Sequence, residues 1–280
     1  MIKPAQYVLL DTLCRNNVSL LLDEFDKDLK NISGKCMDIG CGPGDITKDI
    51  LLPFLGPNVT MIGTDIMEKV IEYANKTYGD KERLKFEVLD IETKNLPDKY
   101  ISEFDHIFSF HALQWCKDIH QTFRNIYRML RPSKTMLILS IAHHAHTYES
   151  LEAMAQDMRY AAYMGDKNKY VGSFHYSTQP HEELKQILEN IGFQVHHCSH
   201  RNKSEFLNTQ KFSSMITSQY TFEFLNKMPH DLKEEFMNEF IRRFEEIRIE
   251  EYKKRQNDDK LHDHIPFYYT VLVVYAQKRL

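Results

Sequence analysis

The chain is 280 residues long, 42% hydrophobic and 27% charged, with a formal net charge of −4. That length holds one large α/β domain, and the apolar fraction excludes disorder over most of it. The acidic balance argues against a nucleic-acid partner, which a basic excess would mark, and suits an enzyme acting on a small molecule.

The first periodic segment is Asn17 to Leu29, where Val18, Leu21, Leu22, Phe25 and Leu29 recur at helical spacing. It reads as an amphipathic helix, and residues 1–30 as a helical segment lying over the site. A regular alternation follows. Strands are expected at Lys35–Ile39, Val59–Thr64, Leu84–Leu89, Phe104–Phe110 and Thr135–Ala142. Between them, Asp45–Leu55 should be helical with Pro53 near its end. Ile66–Tyr78 should be a helix closed by Gly79, and Ile119–Leu130 one stopped by Arg131-Pro132.

The second half is less regular. Tyr148–Met164, His181–Asn190, Lys211–Leu225 and Asp231–Lys254 read as helices, and Arg255 to Asp263 as a polar loop. Phe193–Cys198 and Phe267–Ala276 complete the sheet. The expected fold is α/β: a doubly wound, seven-stranded, mostly parallel sheet forming a single domain over 1–280, with a helical cap inserted at 202–264 near the C-terminus. In such sheets ligands bind beyond the carboxyl ends of the strands. The segments after Ile39, Thr64, Leu89, Phe110 and Ala142 should therefore border one cleft.

The loop after the first strand reads Met37-Asp38-Ile39-Gly40-Cys41-Gly42-Pro43-Gly44-Asp45. Its glycines let the backbone approach a ligand where a β-carbon would clash. Alone, such a run is also compatible with an ordinary strand-to-helix turn. The second strand ends in Gly63-Thr64-Asp65, where a carboxylate accepts from ribose hydroxyls, and the third in Leu89-Asp90-Ile91, where Asp90 can accept from an adenine amino group. Each acid alone also reads as a helix cap or a solvated loop residue. Together with the loop they form a three-point cradle for an adenosyl group. The G-x-G-x-G spacing departs from the G-x-G-x-x-G of dinucleotide sites, and Asp45 at the helix start would repel a pyrophosphate. A carboxylate there suits a cofactor whose near end carries an ammonium and a sulfonium.

These three segments resemble class I S-adenosylmethionine-dependent methyltransferases. A narrower resemblance extends this. Phe104-Asp105-His106-Ile107-Phe108-Ser109-Phe110-His111-Ala112-Leu113-Gln114-Trp115 is similar to the FDHVFSFYxLHW stretch of insect juvenile hormone acid O-methyltransferases. Phe123 to Tyr127 with Leu130-Arg131-Pro132, Gly79 to Asp90, Asn190 to Phe193, Met228 to Leu232 and Val273 to Lys278 fit the same family. The resemblance runs nearly end to end and is densest from Lys35 to Pro132.

It implies the class I methyltransferase fold and S-adenosyl-L-methionine as cofactor, held by Asp38, Gly40, Gly42, Gly44, Asp65, Ile66, Asp90 and Ile91. It also implies methyl transfer to the carboxylate of an apolar acid such as juvenile hormone acid or farnesoic acid. The family holds that carboxylate with an N-terminal glutamine and a tryptophan. Trp115 matches the tryptophan; Cys14 stands where the glutamine falls, Gln114 where the family has histidine, His111 where it has tyrosine, and Asn16-Asn17 in place of an Arg-Asp pair. The catalytic candidates are thus Trp115, Gln114 and Cys14, and the substrate-binding candidates His111 and Trp115, joined by His144, which follows the fifth strand at the rim of the cleft. Because these departures lie on the substrate side, two alternatives stay open: a different small-molecule acceptor, or a non-catalytic cofactor-binding paralogue acting as a carrier.

A carboxylate is already a nucleophile at neutral pH, so its O-methylation needs positioning and loss of water rather than a general base. A tryptophan N–H is a donor that cannot compete as a nucleophile, whereas a cysteine S–H is a weak donor. Met154, Met158, Tyr160, Tyr163, Met164, Phe174 and Tyr176 are candidates to line an apolar acceptor pocket, or equally ordinary packing. His143-His144-Ala145-His146 lacks the companions of a metal site, so no metal is expected. The five cysteines are scattered and odd in number, as befits free thiols. The start of the chain lacks a signal-peptide pattern, and no apolar run nears the ~18 residues of a membrane span. A cytoplasmic location without membrane insertion is expected; the sequence fixes no oligomeric state.

Overall fold

The computed structural model describes residues 12–80, 82–166, 170–206, 223–256 and 265–280. Chain order begins with α1 (Thr12–Glu24) and the short α2 (Asp26–Leu29), broken at Phe25. Next come β1 (Gly34–Ile39) and a π-helical turn, Thr47–Leu51, that runs into α3 (Leu52–Leu55). The wide turn lies just ahead of Pro53, which has no amide hydrogen to give to the preceding turn, and lets Leu52 N–H reach back to Thr47 O. Then follow β2 (Val59–Asp65), α4 (Glu68–Thr77), β3 (Leu84–Val88), β4 (Phe104–Phe110), α5 (Ile119–Met129) and β5 (Leu130–His143). The last part holds α6 (Ala145–Gln156), α7 (Met158–Met164), α8 (Pro180–Ile191), β6 (Phe193–Glu205), α9 (His230–Gln256) and β7 (Phe267–Lys278).

The strands form one seven-stranded sheet in the order β3-β2-β1-β4-β5-β7-β6. β1 to β5 pair in parallel, and β7 runs antiparallel between β5 and β6. The order reverses at β1, so the crevice for a ligand opens at the carboxyl ends of β1 and β4. Alternate residues feed two cores. Cys36, Met61, Phe108, Leu137 and Val273 face one layer with Leu22, Leu151 and Phe240. Met37, Ile107, Met136 and Val274 face the other with Phe123, Ile126 and Leu188.

Several expected boundaries move. The helix of Ile119 ends at Met129, and Leu130 already pairs with Phe104, because Pro132 keeps Arg131 out of helical conformation. Tyr148–Met164 splits into α6 and α7 at Asp157, whose extended backbone and carboxylate cap Arg159 N–H. β6 runs to Glu205 rather than Cys198, because the aromatic start of β7, Phe267 to Tyr269, takes Glu205 to Lys203 as its partners. That carries the start of the expected 202–264 insertion into the sheet. The helix expected over Lys211–Leu225 and the loop over Arg255–Asp263 fall largely outside the described residues. α9 lays Phe236, Phe240 and Phe244 into the first core. Among the described residues no helix is long and apolar enough to cross a membrane.

Candidate active site

The loop after β1 is pinned to β2: Gly40 and Cys41 N–H both donate to Thr64 O, at 2.6 and 2.9 Å. Gly40, Gly42 and Gly44 have φ of 71°, 54° and 88°. A β-carbon on Gly40 would lie 2.1 Å from that of Ala112, and one on Gly44 would lie 2.6 Å from the Phe86 ring. Gly42 differs, since nothing lies within 4 Å of its β-carbon position. Gly40 and Gly44 thus serve protein packing, while Gly42 presents bare backbone to the crevice, where a ligand can approach.

The Asp65 carboxylate caps both sides of the loop, accepting Gly42 N–H at 3.2 Å and Met67 N–H at 2.9 Å. Burial raises its pKa, against the pull of those backbone N–H groups. Asp38 is buried below the loop and accepts the Thr47 hydroxyl at 2.6 Å. Burial pushes its pKa up to about 7, opposed by that hydrogen bond and reinforced by Asp65 and Asp45. Ile66 is 63% exposed at the end of β2, an apolar surface beside Asp65. Asp90 is exposed and accepts Glu92 N–H, while Ile91 is buried. The set fits an adenosyl cofactor: bare backbone at Gly42, a carboxylate at Asp65, an apolar shelf at Ile66 and a second acid at Asp90.

Several supporting residues escaped the sequence reading. Buried Asn125, in the middle of α5, donates to Ile91 O and Thr93 O, both at 2.7 Å, and so holds the loop after β3. A polar side chain on the apolar stripe of a helix was the available signal. Ser109 Oγ donates to Ile39 O at 2.8 Å, tying β4 to the start of the loop. Arg15 of α1 reaches Asp45 at 2.7 Å. Asp45, expected to suit a cationic cofactor end, therefore already carries a guanidinium, and α1 is fastened to the loop.

On the other side of the crevice, β4 leads into His111, with φ of 54°. Its N–H donates to Leu139 O at 2.7 Å. Gln114 is buried: its amide nitrogen donates to His111 O at 2.6 Å, and its oxygen accepts from Ser140 Oγ at 3.2 Å and Ile141 N–H at 3.4 Å. It straps β4 to β5 and holds the backbone of His111. Trp115, closing a short 3-10 turn, is 37% exposed. Both ring nitrogens of His111 are buried and, among the described residues, without a hydrogen-bond partner. Burial pushes its pKa down to about 4, with the charge of Lys203 adding to the effect.

His144 is buried and stacks near Phe267 and Tyr269, with ring centroids at 5.6 and 6.0 Å. Burial takes its pKa down to about 3, with His146 and His143 contributing. The Tyr269 hydroxyl accepts Asn17 Nδ2–H at 2.8 Å, so the α1 turn carrying buried Cys14 and Asn17 is tied to the His144 stack. His143 pairs with His175 at 2.9 Å between Nδ1 atoms, and His146 with Glu251 at 2.6 Å. Among the described residues no group of three His, Cys, Asp or Glu is placed to hold a metal ion.

Comparison with known proteins agrees with this geometry. Residues 31–192 match a methyltransferase domain family. The juvenile hormone acid O-methyltransferase of Drosophila melanogaster is 30% identical, covering 94% of this chain and 88% of its own length. That of Bombyx mori is 29% identical over 89% of this chain and 87% of its own. The solved structure of the YcgJ protein of Bacillus subtilis shares the fold, with a TM-score of 0.55 at 16% identity over 92% of this chain and 98% of the other. With a methyltransferase domain over more than half its length and this near full-length similarity, the chain belongs to the juvenile hormone acid O-methyltransferase family and is an S-adenosylmethionine-dependent methyltransferase.

Proposed function

We propose that the protein methylates the carboxylate of an apolar acid of the juvenile hormone acid or farnesoic acid type. One observation carries this reading. Ala112 packs so closely on Gly40 that the His111–Trp115 segment adjoins the cofactor loop. The groups there are of the kind that position an anion rather than deprotonate a nucleophile. Trp115 offers a donor-only indole, and the His111 ring is held neutral.

S-Adenosylmethionine, when bound, supplies an electrophilic methyl group on a sulfonium. The chain's own residues do the rest. Asp38, Gly40, Gly42 and Gly44 shape the loop, Asp65 and Ile66 take the ribose side, and Asp90 and Ile91 the adenine side. Trp115 donates to the acceptor carboxylate, and Gln114 positions His111 through its carbonyl. His144, with Phe267 and Tyr269, forms apolar wall that excludes water, which sharpens a carboxylate as nucleophile. Cys14 lies on the turn of α1 beside Asn17 and Tyr269. In this reading residues 1–30 and the 202–264 region cover the crevice, with 1–11, 207–222 and 257–264 outside the described residues. The Arg15–Asp45 and Arg201–Glu24 pairs support the first, and the aromatic face of α9 the second. A cytoplasmic location is part of the proposal, supported by five free thiols.

The second reading, a different small-molecule acceptor, draws on Cys14, whose thiol is a weak donor for a carboxylate. Labelled S-adenosylmethionine with a panel of terpenoid and fatty acids decides between them. Release of S-adenosylhomocysteine with sesquiterpenoid methyl esters is expected. Retained cofactor binding with no ester across the panel would sink the proposal and leave a different acceptor or a carrier.

A further inference from the structure

We propose that Glu92 is a positioning residue that couples the two halves of the crevice, so that the cofactor, once seated, sets the Trp115 turn for the acceptor acid. The proposal rests on the carboxyl methyltransferase reading and names the link between its two substrates.

Glu92 joins two segments by direct hydrogen bonds. It lies in the loop after β3, where its own N–H donates to Asp90 Oδ1 at 2.9 Å. Asp90 Oδ2 has no protein donor among the described residues, which leaves that oxygen to an adenine amino group. On its other side, Glu92 Oε1 accepts Lys117 N–H at 2.6 Å and Asp118 N–H at 2.5 Å, the two amides just ahead of α5. Hydrogen bonds to an ionised carboxylate are stronger than neutral ones, so this is a firm contact. Asn125 in α5 holds Ile91 O and Thr93 O, on either side of Glu92, both at 2.7 Å. The adenine-side loop and the start of α5 are thus braced together.

The turn that carries Trp115 is gripped by the cradle at both ends. At its start Ala112 is seated on Gly40, in the loop that takes the methionine end of the cofactor. At its end Lys117 and Asp118 hang on Glu92. In between, Trp115 N–H donates to Ala112 O and Cys116 N–H to Leu113 O, both at 3.1 Å, so one short turn passes a shift at either end to the indole. The outer side of the turn is anchored elsewhere. Ser173 Oγ donates to Cys116 O at 2.7 Å, and Lys117 Nζ to Val171 O at 2.8 Å. With that side held, the approach of the turn to the adenine-side loop is what Glu92 sets.

The test is calorimetric binding of farnesoic acid to the full chain, with and without saturating S-adenosylhomocysteine. The sulfur of that ligand is uncharged, so tighter binding of the acid is not attraction to a sulfonium. Trp115 is the single tryptophan of the chain, and its emission reports on the turn. The wild type is expected to bind the acid about fivefold more tightly with S-adenosylhomocysteine present, an ordinary coupling between two sites. Its emission should shift on addition of S-adenosylhomocysteine alone. Glu92→Ala should still saturate with S-adenosylhomocysteine, yet bind the acid equally with and without it and show no emission shift. Glu92→Gln, which keeps an oxygen acceptor, should recover most of both effects. Undiminished coupling in Glu92→Ala, or no coupling and no emission shift in the wild type, would overturn the proposal. Loss of S-adenosylhomocysteine binding itself in Glu92→Ala would make Glu92 a cofactor residue and overturn it as well. Failure of the wild type to bind any sesquiterpenoid acid would overturn the substrate reading; the emission shift, which needs no acid, would still decide whether Glu92 sets the turn.

Discussion

Where β1, β2 and β3 end, the polar groups of the crevice hold one another: Gly40 and Cys41 on Thr64, Gly42 and Met67 on Asp65, Thr47 on Asp38, Asn125 on Ile91. Where β4 and β5 end and β7 begins, Gln114 and Asn17 make such bonds, but other buried polar atoms do not. The buried side-chain polar atoms lacking a hydrogen bond include the His111 ring, Thr147, Tyr160 and Thr270, and among the described residues none lies before His111 in the chain. The first region is a finished cradle whose shape does not depend on its ligand. The second keeps buried polar atoms without a hydrogen bond. Pre-formed hydrogen bonding on one side and unused capacity on the other is what a two-substrate enzyme needs if the cofactor is to be fixed before an apolar acid arrives.

The sharpest way to break this comparison is within the cradle itself. Gly40→Ala forces a β-carbon into Ala112 at positive φ, and should cost about 2–4 kcal/mol in urea unfolding and abolish S-adenosylhomocysteine binding. Gly42→Ala meets no protein atom, so it should cost about 1 kcal/mol of stability from backbone strain while still losing cofactor affinity. Equal stability losses at the two positions would refute the division between packing and ligand-facing glycines. Next comes Asp65→Asn, which replaces one acceptor of two backbone N–H bonds by a donor. A loss of about 1–3 kcal/mol in calorimetric S-adenosylhomocysteine affinity is expected; an unchanged affinity would remove Asp65 from the site.

The acceptor side makes a pH prediction. His144 titrates at about 3 in the fold, and His111, His106 and His175 at about 4, against 6.5 when exposed. Between those values the unfolded chain binds more protons than the folded one, so stability falls as pH drops from about 6.5 towards 4 and is unaffected above. Each such ring contributes up to about 1.4 kcal/mol per pH unit. Denaturation midpoints of His144→Phe between pH 7.5 and 5 should show a shallower decline than wild type, and parallel slopes would contradict the assignment. The smallest effect belongs to Gln114→Leu. Losing the strap should lower kcat roughly threefold to tenfold, about 1 kcal/mol, with the KM for S-adenosylmethionine unmoved. A change in that KM instead would mean that Gln114 serves the cofactor half.

The same contrast explains what the sequence revealed. The cradle comes from three strand ends, each followed at once by its glycine or acid, so Asp38 to Gly44, Asp65 and Asp90 were readable locally. The order of the sheet followed from alternating periodicity. The acceptor side is assembled across the chain: Asn17 with Tyr269, Gln114 with Ser140. The far half of β6 escaped notice because it is a polar edge strand whose alternation carries no apolar signal, and only pairing with β7 extends it that far. His144 was expected at the site on its position after β5, but the sequence held nothing of its stacking on Phe267 and Tyr269. Arg15, paired with Asp45, was likewise invisible, because no local pattern joins α1 to the loop.

One measurement bears on the central claim most directly: incubation of the full chain with S-adenosylmethionine carrying a trideuterated methyl group and with farnesoic acid, followed by mass spectrometry of the extracted product. The account predicts methyl farnesoate bearing the intact deuterated methyl on its ester oxygen, formed in step with S-adenosylhomocysteine. Binding of both ligands with no deuterated ester would contradict it.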